Sequence, residues 1–261
     1  MDQTTIDQLN KINRDFYTTI AASFHATRHD AWQGWTNVID TISERFDLQN
    51  PIAMLDVGCG NGRWAKTFFE ITRASHVKYM GIDENRSLLQ YACQAILPYA
   101  EVLDLVKQDA QAFLIENTEK AAPEQFQIIV LFGIWHHFPG SEYRLNLLHE
   151  LSRSLAPNGI LIISCWRFLR SQKLADRLHD PALVKINPKQ LETGDYLLDW
   201  RSGNQAIRYC HDTDREEMVR HILAAGLQIE AEFSADGKTG NLNDYYIITH
   251  QQLLAHSAEG L

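Results

Sequence analysis

Apolar residues recur at spacings of three and four over residues 5–25 and again over 29–47, which predicts two amphipathic helices. After Pro51 the pattern changes. Ile52 to Val57 is a short apolar run ending in an acid and glycines, as expected of a strand covered on both faces. Helical and strand-like patterns then alternate: a helix over 62–73, a strand from Lys78 to Asp83, a helix near 86–97, a strand at about 101–107. A strand from Ile128 to Phe132, a helix near 141–156, a turn at Pro157-Asn158-Gly159 and a strand from Ile160 to Trp166 follow. Such alternation implies right-handed crossovers and a parallel sheet, hence a doubly wound α/β fold. Residues 167–206 break the rhythm with Pro181, Pro188, Gly194 and Gly203, and read as a lid-like insertion over the active-site end. A helix near 213–225, stopped by Gly226, and strands at 227–233 and 243–249 complete the pattern. The expected organisation is an N-terminal helical cap (1–50), an α/β domain (51–250) carrying the insertion, and a tail (251–261).

Composition narrows the class. The chain has 261 residues, enough for one generous α/β domain with added segments. No stretch suits a membrane span, and the first residues lack a secretion-signal pattern. Cys59, Cys93, Cys165 and Cys210 form no CxxC pair; isolated thiols suit a reducing cytoplasm, the expected location. The net charge of −9 argues against gripping nucleic acid over the whole surface. Residues 166–211 nevertheless hold eight Lys and Arg against five Asp and Glu, either a local basic patch or an ordinary solvated loop.

The candidate chemistry starts at Leu55-Asp56-Val57-Gly58-Cys59-Gly60-Asn61-Gly62, a glycine turn between strand and helix where backbone can approach a ligand closely. A dinucleotide site needs G-x-G-x-x-G, and Arg63 stands where its third glycine belongs. Asp56, just before the turn, suits an amino group better than a diphosphate. Asp83 ends the next strand, where a carboxylate accepts ribose hydroxyls, and Asp109 in Gln108-Asp109-Ala110 ends the third, where it can accept from an adenine amino group. Helix capping is the alternative for each acid. Three strand-terminal acids match a cationic nucleoside without phosphates.

These residues resemble the class I S-adenosylmethionine (SAM)-dependent methyltransferases over about residues 50–250. The resemblance implies a mostly parallel seven-stranded sheet whose last strand is antiparallel, with SAM held by Asp56 to Gly62, Asp83, Asp109 and Ala110. A narrower similarity is to the tRNA wobble-uridine methyltransferases, which esterify 5-carboxymethyluridine in the anticodon loop. It rests on Phe16-Tyr17-Thr18-Thr19-Ile20-Ala21 with Thr27-Arg28 and Trp32, on Gly133-Ile134-Trp135-His136-His137, on Ser164-Cys165-Trp166, on Gly194 to Trp200, and on Arg208-Tyr209-Cys210-His211. The chain departs from that family's pattern at Asp199-Trp200, where Pro-Trp is usual, and at Cys210, where a second Tyr is usual. The similarity implies that the N-terminal helix closes over the cofactor, bringing Tyr17 and Arg28 to it, with Phe132 and Gly133 on the cofactor side. Eukaryotic members work with a small zinc-binding partner; no docking surface for a partner subunit is legible here.

A carboxylate acceptor is already ionised at neutral pH, so alignment and desolvation would suffice without a general base. Arg208 and Arg201 are candidates to grip it through their planar forks, or else surface arginines. Trp166, Tyr209 and Trp200 are candidates to stack an unpaired base, or else packing residues. A hydroxyl or amine acceptor would call on His136 or His211 as base. No metal site is expected at His136-His137, because adjacent side chains diverge and no Cys or Asp stands at ligand spacing. The expected function is methyl transfer to tRNA through a basic and aromatic patch. The alternatives are a small-molecule methyltransferase with a closed lid and a non-catalytic SAM-binding regulator.

Overall fold

The computed structural model describes every residue except Glu101, residues 121–122 and 124, 201–205 and 252–261. Arg201 and the expected tail from 252 onward thus lie outside the described residues.

Ten strands and eight α-helices are described, and two sheets result. The larger has the order β3-β2-β1-β4-β5-β10-β9. Its parallel part is β1 (Ile52–Val57), β2 (Val77–Asp83), β3 (Val102–Lys107), β4 (Phe126–Leu131) and β5 (Leu155–Trp166). The final strand β10 (Asn243–His250) inserts antiparallel between β5 and β9 (Leu227–Ala235). This is the mostly parallel seven-stranded α/β sheet that the alternating pattern and the resemblance implied.

Period-two alternation builds the core. Leu55, Met80, Ile129 and Ile163 point into one apolar cluster with α5 (Ala110–Thr118), α6 (Ser141–Ser154) and α8 (Arg215–Ala224). Their neighbours Met54, Tyr79, Ile128 and Ile162 point to the opposite face, against α2 (Gly34–Arg45), α3 (Arg63–Thr72) and α4 (Arg86–Ile96).

Three local expectations change. Helix α5 follows β3 without having been anticipated; its apolar residues are not confined to one face, so no helical stripe marks it. Pro157-Asn158-Gly159 is an irregularity inside β5: pairing with β4 jumps from Phe126↔Leu155 to Ile128↔Ile160. The expected insertion 167–206 holds the short helix α7 (Gln172–Ala175) and strands β6 (Leu178–His179) and β7 (Asp195–Trp200), which pair with β8 (Ala206–His211), running past its expected end, in a small antiparallel sheet. Helix α1 (Gln3–Ala26) packs on this small sheet, burying Leu9 with Leu197 and Tyr209, and Phe16 and Ile20 with Trp200. Helix α2 instead buries Trp35, Val38, Ile39 and Ile42 on the large sheet. The two N-terminal helices therefore serve different layers.

Candidate active site

At the carboxyl ends of β1, β2 and β4 a cavity of about 900 Å³ opens beneath α1 and the connection that follows it. Ligands bind at this edge in doubly wound folds.

The glycine turn forms the floor of one end. Gly58, Gly60 and Gly62 all have positive φ. A Cβ on Gly58 would lie 2.3 Å from Ile134, so only glycine fits there. Gly62 faces α4 instead, where a Cβ would meet Ala92 at 2.8 Å, and it is absent from the cavity wall. Asp83 organises the turn. Its Oδ2 accepts from the Gly60 N–H at 3.0 Å, and its Oδ1 accepts from the Asn85 N–H at 2.8 Å. Burial raises its pKa to about 6, although both N–H groups work against the rise. Asp56, 2% exposed, accepts from the Tyr79 hydroxyl at 2.7 Å. Burial raises it to about 7, opposed by that hydrogen bond and helped by the charge of Asp83. Asp109 lines the cavity, but its Oδ1 caps α5 by accepting from Ala112 N–H at 2.9 Å. Cys59, Ala110, Phe132 and Gly133 line the same end. Asn61 reaches from the turn to α1, bonding His25 Nδ1 at 3.2 Å and the Arg28 carbonyl at 3.3 Å. It fastens the roof to the floor.

The other end is aromatic and cationic. Arg208, from β8, is 9% exposed and lines the cavity. Its guanidinium lies 4.5 Å from the Trp166 ring and 5.3 Å from Phe16. Among the described residues no carboxylate pairs with it, and its Nε has no hydrogen-bond partner. Arg28 enters from the end of α1 and stacks near Phe24 and Trp200, with centroid distances of 5.6 and 5.4 Å. Trp166 lines the cavity; Trp200 is buried against Phe16.

Neutral histidines border this end. His136 is buried, with Nδ1 unpartnered, and burial followed by its neighbours His137 and Arg208 holds its pKa far below the usual range. His137 is held at about 3 by burial and by Arg208. The expectation that these two rings diverge is corrected. A 3-10 turn at Trp135–His137 brings their centroids to 4.1 Å, and Cys210 arrives from β8, so that potential ligand atoms of all three lie within 4.8 Å. Both ring nitrogens of His137 are engaged, however, at Tyr17 and at the Tyr209 carbonyl.

Two expected site residues sit elsewhere. Tyr209 is fully buried and donates from its hydroxyl to Asp195 at 2.6 Å; its ring packs beneath α1 and cannot stack a base. His211 is locked between Asp195 at 2.7 Å and Glu217 at 2.8 Å, outside the cavity wall, and has no free nitrogen to act as base. The sequence reading also missed wall residues. Arg63 stacks within 5.2 Å of Trp32 and 4.9 Å of Trp35 and donates to the Asp30 carbonyl at 2.9 Å. Its signal was its place straight after the turn, where a glycine would serve a dinucleotide. Glu84, next to Asp83, also lines the wall.

The sheet order, the glycine turn and the strand-end acids define a class: the Rossmann-like fold of SAM-dependent methyltransferases. Solved structures agree in fold. A SAM-dependent methyltransferase from Clostridium acetobutylicum superposes with a TM-score of 0.60 at 14% identity, covering 91% of this chain and 98% of that one. The magnesium protoporphyrin IX methyltransferase of Synechocystis, solved with S-adenosylhomocysteine (SAH), gives 0.56 at 13% identity, covering 95% of each. The model of the family described as "Methyltransferase domain" matches residues 26–232, and the chain belongs to that family. Among curated relatives, mouse tRNA (carboxymethyluridine(34)-5-O)-methyltransferase ALKBH8 is 26% identical over 161 residues, 60% of this chain and 20% of that protein. Human probable tRNA methyltransferase 9B is 27% identical over 155 residues, 58% of this chain and 28% of that protein. The chain thus matches only about a fifth to under a third of these relatives' length. Among the described residues, no helix is long and apolar enough to cross a membrane.

Proposed function

We propose that this chain is a SAM-dependent methyltransferase that esterifies a carboxylate, with the carboxymethyl group of tRNA wobble uridine as its acceptor. The observation that carries the acceptor chemistry is Arg208: a buried guanidinium facing the cavity without a carboxylate of its own. Leaving such a charge unpaired is costly, and an anionic ligand relieves the cost. The relatives ALKBH8 and tRNA methyltransferase 9B favour the RNA acceptor.

The residues fit the donor. Asp83 retains lone pairs for ribose hydroxyls, Asp56 offers a carboxylate toward an amino group, and the Gly58 turn admits ligand against backbone where a Cβ would strike Ile134. Bound SAM supplies an electrophilic methyl on a sulfonium. The rest falls to this chain. Arg208 holds the acceptor oxygens in a fixed plane. Trp166 covers that guanidinium and excludes water. No proton needs to move, in keeping with the neutral state of His136 and His137. Esterification removes the acceptor's charge, so Arg208 loses its counter-ion and releases the product.

The test is incubation with labelled SAM and tRNA whose wobble esters have been saponified, followed by nucleoside analysis. The expected product is the methyl ester of 5-carboxymethyluridine. Arg208→Ala should raise the acceptor KM by roughly 10- to 150-fold, the worth of hydrogen bonds to a charged group, with SAM affinity unchanged. Unaltered turnover in Arg208→Ala, or label in no nucleoside, would overturn the proposal. One observation favours a small acid as acceptor instead: the insertion's Arg167 and Arg170 are engaged by Asp212 and Asp244, which reduces the charge left for phosphates. Label appearing only in a small-molecule fraction would establish that reading.

A further inference from the structure

Resting on Arg208 as the acceptor clamp, we propose that Tyr17 and His137 form a positioning pair that aims this guanidinium, so that Tyr17 serves the acceptor end of the cavity and not the cofactor end.

The hydrogen bonds of His137 fix its tautomer. His137 Nδ1 lies 2.9 Å from the Tyr209 carbonyl oxygen, which can only accept. Nδ1 therefore carries the hydrogen. In the neutral ring Nε2 then has a lone pair and no hydrogen, and it lies 2.8 Å from the Tyr17 oxygen. The Tyr17 O–H must donate to it. The phenol's one hydrogen is spent, and what its oxygen still offers is acceptor capacity. Arg208, a donor only, lines the same cavity and stacks 5.3 Å from the Phe16 ring, which itself abuts Tyr17 at 5.0 Å, and its charge restrains the burial-driven rise of the Tyr17 pKa.

The pair is braced from every side. Asn13, one turn before Tyr17 on the same face of α1, accepts from the Tyr209 N–H at 2.9 Å and donates to the His137 carbonyl at 3.4 Å. The Tyr17 ring stands edge-on to His137 at 5.4 Å and to Phe16 at 5.0 Å. Residues from α1, from the turn after β4 and from β8 thus share one hydrogen-bond circuit, and Tyr17 and His137 line the same cavity as Arg208. Packing alone would be served by phenylalanine at position 17. A half-buried hydroxyl whose hydrogen is committed to a fixed acceptor, on the same cavity wall as a guanidinium that lacks a counter-ion, is arranged to orient that guanidinium's fork.

The experiment compares wild type with Tyr17→Phe, His137→Gln, His137→Phe and Arg208→Lys. Each is measured for SAH affinity by calorimetry, for binding of 5-carboxymethyluracil to the SAH complex, and for turnover of saponified tRNA. Tyr17→Phe and His137→Phe should raise the acceptor KM and the 5-carboxymethyluracil Kd about tenfold, with kcat and SAH affinity within about twofold. His137→Gln, which keeps a donor and an acceptor, should recover most of the loss. Arg208→Lys should weaken acceptor binding at least as much. If Arg208→Lys impairs acceptor binding while Tyr17→Phe does not, the positioning pair is wrong and the clamp stands. If Tyr17→Phe weakens SAH instead, Tyr17 belongs to the cofactor and the inference fails. If wild type binds no 5-carboxymethyluracil and turns over no saponified tRNA, the clamp reading falls and this inference with it. Loss in Tyr17→Phe accompanied by a lowered melting temperature and no recovery in His137→Gln would mark a merely structural role.

Discussion

Asp56, buried, and Asp83, half-buried, line the cavity proposed to receive SAM, and this environment sets their acid chemistry. Their pKa values are raised to about 7 and about 6, chiefly by burial. Raised carboxyl pKa values mean that the folded chain holds protons the unfolded chain has released. Its stability from these groups is therefore fullest below about 4 and declines as pH rises through 6 and 7. A bound cation requires the ionised forms, so SAM affinity moves the opposite way. Between pH 5.5 and 7.5 the Kd should tighten on the order of 100-fold if both protons leave on binding. Calorimetry across that range in buffers of differing ionisation heat checks it, and a pH-independent Kd would contradict it. The gain in melting temperature on adding SAM should grow over the same interval. His136 and His137, held neutral, contribute no limb near 6.5 to the rate profile.

At the scale of elements, the insertion is fastened to the α/β core by buried charge. Arg144 of α6 is 1% exposed and bonds Glu192 of the insertion at 2.9 Å and Glu217 of α8 at 2.8 Å. Glu217 passes the contact to His211 of β8, and His211 to Asp195 of β7. Burial would raise the Glu217 carboxyl, but the His211 hydrogen bond and the Arg144 charge outweigh it and hold it at about 2. For His211 burial lowers the pKa and its two carboxylate partners raise it further than that. The Glu217 contribution to stability is thus present above about 4.5 and lost toward 2, whereas that of His211 is lost as pH climbs above its raised value. Removing Arg144 leaves Glu192 and Glu217 without their shared cation. Arg144→Ala should cost about 3–5 kcal/mol in urea unfolding, with SAM affinity per folded molecule unchanged because Arg144 is not in the cavity wall. None of this was legible in the chain, since its members lie up to 73 residues apart. Helix α5 was missed for a different reason: its apolar residues show no single face, and Asp109, for which both an adenine contact and a helix cap were expected readings, is its N-cap.

For the whole molecule, charge divides the acceptor readings. A net charge of −9 opposes RNA at long range, and part of the basic insertion is paired with Asp212 and Asp244. If tRNA is the acceptor, its KM should rise steeply between 50 and 200 mM KCl while SAM affinity stays flat, because phosphate contacts release counter-ions and a buried cavity does not. A KM indifferent to salt would favour the small acid.

The sequence alone determined the large sheet, because a strand covered on both faces and a helix covered on one impose periods that survive in the linear pattern. It also determined the glycine-turn end of the cavity, since the turn and the acids at β1 and β2 are set by their own strands. The tertiary structure decided the aromatic and cationic end. Arg208 and Tyr209 are neighbours in the chain, yet β8 sends one into the cavity and the other under α1, where Asp195 receives its hydroxyl. Which side of a strand meets a cavity depends on the layer packed against it, and for β8 that layer is α1, nearly 200 residues away in sequence.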